Sequence, residues 1–182
     1  GIRWRALGVL ALAAAALAIP AWGFLKPYQQ RRVLAMVNPD ADPLGSGYHI
    51  IQSKIAVGSG GMFGKGFMRG TQSQLEFLPE HTTDFAFSVI AEEWGFCGAT
   101  ALVALYFVFI WRVFRVAAQA RELFCALVAA GVGILLFFHA AVNIGMVLGV
   151  LPVVGLPLLF VSYGGSALLA AMFMVGLVCG VE

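Results

Sequence analysis

The stretch AFSVIAEEWGFCGATALVALYFVFIW, Ala86 to Trp111, decides the fold. About 20 mostly apolar residues cross the hydrocarbon core of a bilayer, and this run exceeds that with Glu92 and Glu93 as its only ionised groups. Working outward, comparable runs lie at residues 6–25 and 123–143, with a shorter one at 166–181. Residues 144–161 are equally apolar, but Gly145, Gly149, Pro152, Gly155 and Pro157 interrupt them. They read as a re-entrant or looped segment over 144–165, with a fifth crossing as the alternative. Non-helical backbone survives at membrane depth only when packed in protein or lining a cavity, so this segment points to a cleft. The expected fold is an all-α, polytopic membrane helix bundle.

Composition agrees. Of 182 residues, 61% are hydrophobic and 11% charged, and the mean hydropathy is +0.92; a water-soluble domain needs more charge to cover its surface. A net charge of +2 is too small for a nucleic-acid footprint, although basic loop ends could meet anionic lipid headgroups. Cys97, Cys125 and Cys179 show no metal or redox spacing and read as small apolar side chains. The first apolar run follows Arg3, Trp4 and Arg5 and has no small-residue cleavage site behind it, so it reads as a spanning helix, not a signal peptide. With no initiator Met, the chain reads as part of something longer.

Between the first two crossings lies a loop over 26–85, about 60 residues, which is more than a passive connection needs. Within it Tyr48, Ile51 and Ile55 recur at helical spacing around Gln52 and Lys54, which predicts a short amphipathic helix against the membrane surface. Arg112, Arg115 and Arg121 mark a short cytoplasmic connection. The long loop balances its six Lys and Arg residues with five acidic ones and is placed outside.

Two short motifs fail. Residues 58–66, GSGGMFGKG, resemble a phosphate loop, but Ser59 stands where the first Gly belongs and Gly66 where Ser or Thr is required. Tight turns and close helix approach are one reading of these glycines; backbone N–H groups beside Lys65 meeting a pyrophosphate are another. The sequence Gly164-Gly165-Ser166-Ala167-Leu168 lacks the last Gly of a hydrolase elbow, and there is no zinc-protease His-Glu-x-x-His.

The segment Leu78-Pro79-Glu80-His81-Thr82-Thr83-Asp84-Phe85 places two carboxylates and a His where the chain enters a spanning helix. A partly desolvated carboxylate there is a competent general base toward a hydroxyl, and Asp84 is the candidate. The bland alternative is that Thr83 or Asp84 caps the helix N-terminus. Asp84, Ser88 and Glu92 recur every four residues and share one helix face, a polar stripe that suits a bundle interior or cavity, while Glu93 points elsewhere. Snorkelling is the alternative for Glu92 and Glu93. His139 and Asn143, also four apart, read as interhelical hydrogen-bonding groups, with a helix break at Asn143-Ile144-Gly145. Ser162-Tyr163-Gly164-Gly165-Ser166 reads as a turn from which Ser162 or Ser166 caps the last helix.

Seven motifs then stand in order: DPLGSGYHIIQS at 42–53, TQSQLEFLPE at 71–80, Thr83-Asp84-Phe85, AEEWG at 91–95, NIGM at 143–146, LPVVGLPL at 151–158 and SYGGS at 162–166. With them the chain resembles the SEDS (shape, elongation, division and sporulation) family over nearly its whole length, its RodA members more than its FtsW members. The resemblance implies ten spanning helices, the last four here, in a bacterial inner membrane with the long loop in the periplasm. It implies polymerisation of lipid II, the undecaprenyl-pyrophosphate-linked disaccharide peptide, beside a class B penicillin-binding protein. A divalent cation, Mg²⁺ or Mn²⁺, is thought to assist; its candidate ligands are Asp84 and Glu80, and no organic cofactor is implied.

On that resemblance Asp84 matches the proposed catalytic aspartate. Glu80, Lys65 and Gln72 of the loop, Ser88 and Glu92 of the stripe, and Asn143, Ser162 and Tyr163 are substrate or cavity residues. Two departures stand out: Thr82 replaces the family's His before Thr-Asp, and Leu159 replaces a second Pro. A lipid II flippase and a non-enzymatic scaffold of the elongation complex are the competing functions. A four-helix piece lacks half the walls of such a cavity, so activity is expected of the intact protein.

Overall fold

The computed structural model describes residues 8, 23–38, 46–70 and 83–181. Every regular element among them is a helix: α1 (Pro27–Val37), α2 (Ser46–Ser59), α3 (Ala86–Gln119), α4 (Leu123–Val147) and α5 (Gly165–Cys179). The expected crossing at 6–25 falls almost wholly outside the described residues.

Helices α3 and α4 have 34 and 25 residues and are long and apolar enough to cross a membrane. A three-residue connection, 120–122, folds one back on the other. Tyr106, Ile110 and Val113 of α3 pack with Ala129, Val132, Leu136 and Ala140 of α4 in the core. Their outward faces carry large apolar side chains such as Phe107, 71% exposed, and Ile134, 60% exposed, a surface suited to hydrocarbon or to further apolar helices and not to water. Apolarity alone marked α3 as ending near Trp111; it continues to Gln119, with the Arg115 guanidinium lying 4.1 Å from the Trp111 ring centroid.

Helix α4 does not break at Asn143 as expected. Gly145 is accommodated within it, and it ends at Val147, before Gly149 at φ +68°. Ser53 of α2 donates its hydroxyl to the Val147 carbonyl at 2.6 Å, satisfying one of the acceptors a helix C-terminus leaves open. From Leu148 to Gly164 the chain forms no regular helix, and one tight turn at 158–162 closes with Val161 and Ser162 N–H donating to the Leu158 carbonyl. Helix α5, 15 residues, is shorter than a full crossing needs and packs Ala171 and Val178 inward.

Helix α2 is not a surface helix resting on Tyr48, Ile51 and Ile55. Its buried face is Ile50, Ser53 and Ala56, while Ile55 is 47% exposed. The small Ser53 and Ala56 let α2 approach α3 and α4 closely, with His49 packed at 5.9 Å on Phe85 and Ser53 tied to Val147. The sequence reading followed only the bulky side chains; the buried face combines one of them, Ile50, with two small residues.

The α2 C-terminus leads into a glycine-rich loop that fills a break in α3. At Gly95 α3 turns to φ 67°, ψ −164°, which removes the bonds from Phe96 and Cys97 N–H to the Glu92 and Glu93 carbonyls. The loop supplies all four partners. Phe96 N–H donates to the Gly61 carbonyl (2.8 Å) and Cys97 N–H to that of Met62 (3.1 Å), while Lys65 and Gly66 N–H donate to Glu92 (3.1 Å) and Glu93 (3.0 Å). The fit leaves no room for side chains. A Cβ on Gly64, at φ +80°, would lie 2.0 Å from the Glu93 carbonyl oxygen, and one on Gly95 would lie 2.3 Å from Gly64 N.

Gly95→Ala combines backbone strain with this clash, and is expected to destabilise the protein by about 1–3 kcal/mol or more. Thermal unfolding in detergent checks it; an unchanged melting temperature would mean that the loop does not depend on the break.

Candidate functional site

The expected polar stripe divides into two clusters. In the first, Glu92 is completely buried, and its Oε1 lies 2.7 Å from Lys65 Nζ and accepts a longer bond, 3.4 Å, from Ser59 Oγ. It therefore does not snorkel. Lys65 holds Glu92 with its ammonium and a Glu92 carbonyl with its own N–H, so both groups proposed for a pyrophosphate are engaged within the protein. Glu93 is half-buried, and its carbonyl takes the Gly66 N–H.

The second cluster surrounds Asp84. Helix α3 begins after Phe85, which holds the N-cap position and supplies no side-chain cap. Asp84 faces the irregular segment, where a Cβ on Gly155 would come 3.1 Å from Asp84 Oδ2. Asn143 of α4 is fully buried, and its Nδ2 donates to the Asp84 carbonyl at 2.8 Å and the Leu156 carbonyl at 2.7 Å. Further along, the Tyr106 hydroxyl donates to the Leu159 carbonyl. Side chains of the two long helices thus satisfy the carbonyls that the irregular segment leaves open.

A cleft of about 590 Å³ opens beside this cluster between the first turns of α3 and α5, lined by Ala86, Val89, Ile90, Val161, Ser162, Tyr163, Gly164, Gly165 and Leu168. Ser162 and Tyr163 are thus in the lining of this cleft. Ser162 does not cap α5; its Oγ accepts the Leu158 N–H at 2.8 Å, because it closes the turn before the helix, and α5 starts at Gly164 without a side-chain cap. Tyr163 is 81% exposed. Ser88 is fully buried and returns its hydroxyl to the Phe85 carbonyl at 2.7 Å. His139 makes no interhelical bond through Nδ1, which is buried without a partner. Glu80, Gln72 and His81 lie outside the described residues.

Sequence reasoning missed Gly155 as the wall against Asp84, Ser59 beside Glu92, and Tyr106 as a clamp. Of these only Tyr106 carried a signal: a phenol deep in an apolar helix needs a hydrogen-bond partner. Among the described residues no three His, Cys, Asp or Glu side chains gather. Asp84 stands two helical turns from the nearest other described carboxylate, Glu92. By themselves these residues do not fit an all-protein cation site.

The family described as cell cycle protein, comprising FtsW, RodA and SpoVE, matches residues 1–182. The chain belongs to this family, known as SEDS. It is 53% identical to the peptidoglycan glycosyltransferase MrdB of Escherichia coli K12 over 183 residues, covering 100% of this chain and 50% of that protein. The peptidoglycan glycosyltransferase RodA of Treponema pallidum is 47% identical over 158 residues, 87% of this chain and 36% of the relative. This SEDS chain thus spans about half the length, or less, of these relatives.

Among solved structures, a chain from a peptidoglycan synthase complex that coordinates polymerisation and crosslinking superposes with TM-score 0.74 at 40% identity, covering 96% of this chain and 48% of that one. An aspartate-to-alanine mutant of Thermus thermophilus rod shape determining protein RodA superposes with TM-score 0.54 at 40% identity, covering 64% and 36%. Family and helices together make this a multi-pass membrane protein.

In this SEDS chain Lys65→Met removes the ammonium that faces the buried Glu92 carboxylate, although Ser59 still donates to it, with an expected loss of about 3–5 kcal/mol. Adding Glu92→Gln removes the charge and should recover part of that loss. Melting temperatures of the single and double variants check this; equal losses would mean that the ion pair does not hold the loop to α3.

Proposed function

We propose that this chain carries the catalytic aspartate of a peptidoglycan glycosyltransferase that polymerises lipid II into glycan strands. One observation carries the reading: the Asp84 backbone is pinned by Asn143 at the end of a spanning helix, two residues before Ala86 in the lining of an open cleft. The relatives named peptidoglycan glycosyltransferases support it. The long loop and Asp84 face the periplasm, and the partner is a class B penicillin-binding protein that crosslinks the product, as the synthase complex among the structural matches suggests.

In this reading the acceptor sugar hydroxyl attacks the anomeric carbon of the growing strand. The new glycosidic C–O bond forms as the bond to the lipid pyrophosphate breaks, and the pyrophosphate leaves with the electron pair. Asp84 takes the hydroxyl proton as general base, a contribution worth typically 10²–10⁴-fold. Val89, Ile90, Val161 and Leu168 give the cleft a largely apolar lining, which suits the lipid-linked end of such a substrate. No step requires a cation held by the described residues.

Asp84→Asn keeps the side-chain shape and removes the base. In the full-length protein with its penicillin-binding partner it is expected to lower lipid II polymerisation by about 10²-fold or more, at unchanged membrane level and partner binding. Polymerisation persisting at the wild-type rate would overturn the transferase assignment of Asp84 and favour a lipid II flippase or a scaffold.

A further inference from the structure

We infer that Asn143 is a positioning residue for the Asp84 carboxylate, acting together with Gly155 as the surface against which that carboxylate rests; this rests on Asp84 being the general base. A primary amide has two N–H donors. Asn143 spends both on backbone carbonyls, Asp84 at 2.8 Å and Leu156 at 2.7 Å. One planar group on α4 therefore sets the spacing between the residue carrying the carboxylate and the residue following Gly155.

That spacing is where the carboxylate sits. Gly155 has φ +79°, and a Cβ there would lie 3.1 Å from Asp84 Oδ2, tighter than ordinary van der Waals contact. The wall beside Oδ2 is thus bare backbone, held at a fixed separation by the Asn143 amide. The amide orientation is determined as well, since a flipped side chain would set its oxygen against two carbonyl oxygens. Oδ1 is left buried with no hydrogen-bond partner; the environment selects the donor end of Asn143 and leaves the acceptor end unsatisfied, at a cost to stability.

The bonds run to the Asp84 main chain, so Asn143 governs where the base is held. Reaction rate is sensitive to such placement, since a 1 Å displacement of a reacting group costs on the order of 10²-fold. The signature of positioning is therefore a loss in kcat at constant KM.

The test uses the full-length protein with its penicillin-binding partner and purified lipid II. Asn143→Leu removes both donors at similar volume, and Gly155→Ala leaves the amide intact but places a methyl against Oδ2. Both are expected to lower kcat by about 10–100-fold with KM for lipid II within about twofold. Wild-type kcat in Asn143→Leu, or a loss confined to KM, overturns the inference; should that variant not accumulate in membranes, the same readings in Gly155→Ala decide it. Asp84→Asn assayed in parallel separates the two levels. If it retains wild-type kcat, the general-base reading fails. If it is inactive while the Asn143 and Gly155 variants retain wild-type kcat, only the positioning role fails.

Discussion

A backbone N–H or C=O without a partner at membrane depth costs several kcal/mol, and this constraint shapes the irregular backbone around the two long helices among the described residues. Three interruptions occur next to the long helices: the break at Gly95, the end of α4 at Val147, and the non-helical run from Leu148 to Gly164. Each is met by a specific donor or acceptor from elsewhere. Four groups of the glycine-rich loop replace the bonds lost at Gly95, the Ser53 hydroxyl takes the Val147 carbonyl, and Asn143 and Tyr106 take carbonyls of the non-helical run. The loop between crossings is consequently part of the bundle.

The helices themselves were legible because their signal is local. A run of apolar residues as long as 86–111 or 123–143 has one economical arrangement in lipid, and the lack of helix that glycine with proline suggested over 144–165 holds from Leu148 to Gly164, α4 running four residues further than expected. What was not legible depends on distant partners. Gly95 stands in a stretch whose neighbours all favour helix, and its positive φ is tolerable only because residues 60–66 fill the gap. Tyr48, Ile51 and Ile55 suggested a buried face by bulk, but Ile50, Ser53 and Ala56 are buried because α2 must come close to two other helices.

The site divides in the same way. Asp84 drew attention by its charge at a boundary and by family motifs, and Asn143 by its polarity in an apolar helix. That the two meet was not legible, because Asn143 contacts Asp84 through the main chain, and Gly155 approaches it with no side chain at all. Lys65 and Glu92 were recognised as unusual, but the sequence offered no reason to pair residues 27 positions apart. The pairing follows once the loop threads the break, since the hydrogen bond from Lys65 N–H to the Glu92 carbonyl already brings the two residues together.

These contacts give the segment from Asp84 to Trp94 an unusual mechanical status. It is helical from Ala86, yet it does not inherit its orientation from the rest of α3, because the break at Gly95 interrupts hydrogen-bond continuity. One end is held by the loop through Lys65 and Gly66, the other by the Asn143 amide. A rigid continuous helix would fix Asp84 relative to residues 96–119, deep in the bundle. Two clamps fix it instead to the loop and to the non-helical segment that borders the cleft. The position of the carboxylate is thereby tied to the loop on one side and, on the other, to the non-helical segment whose end at 161–164 borders the cleft.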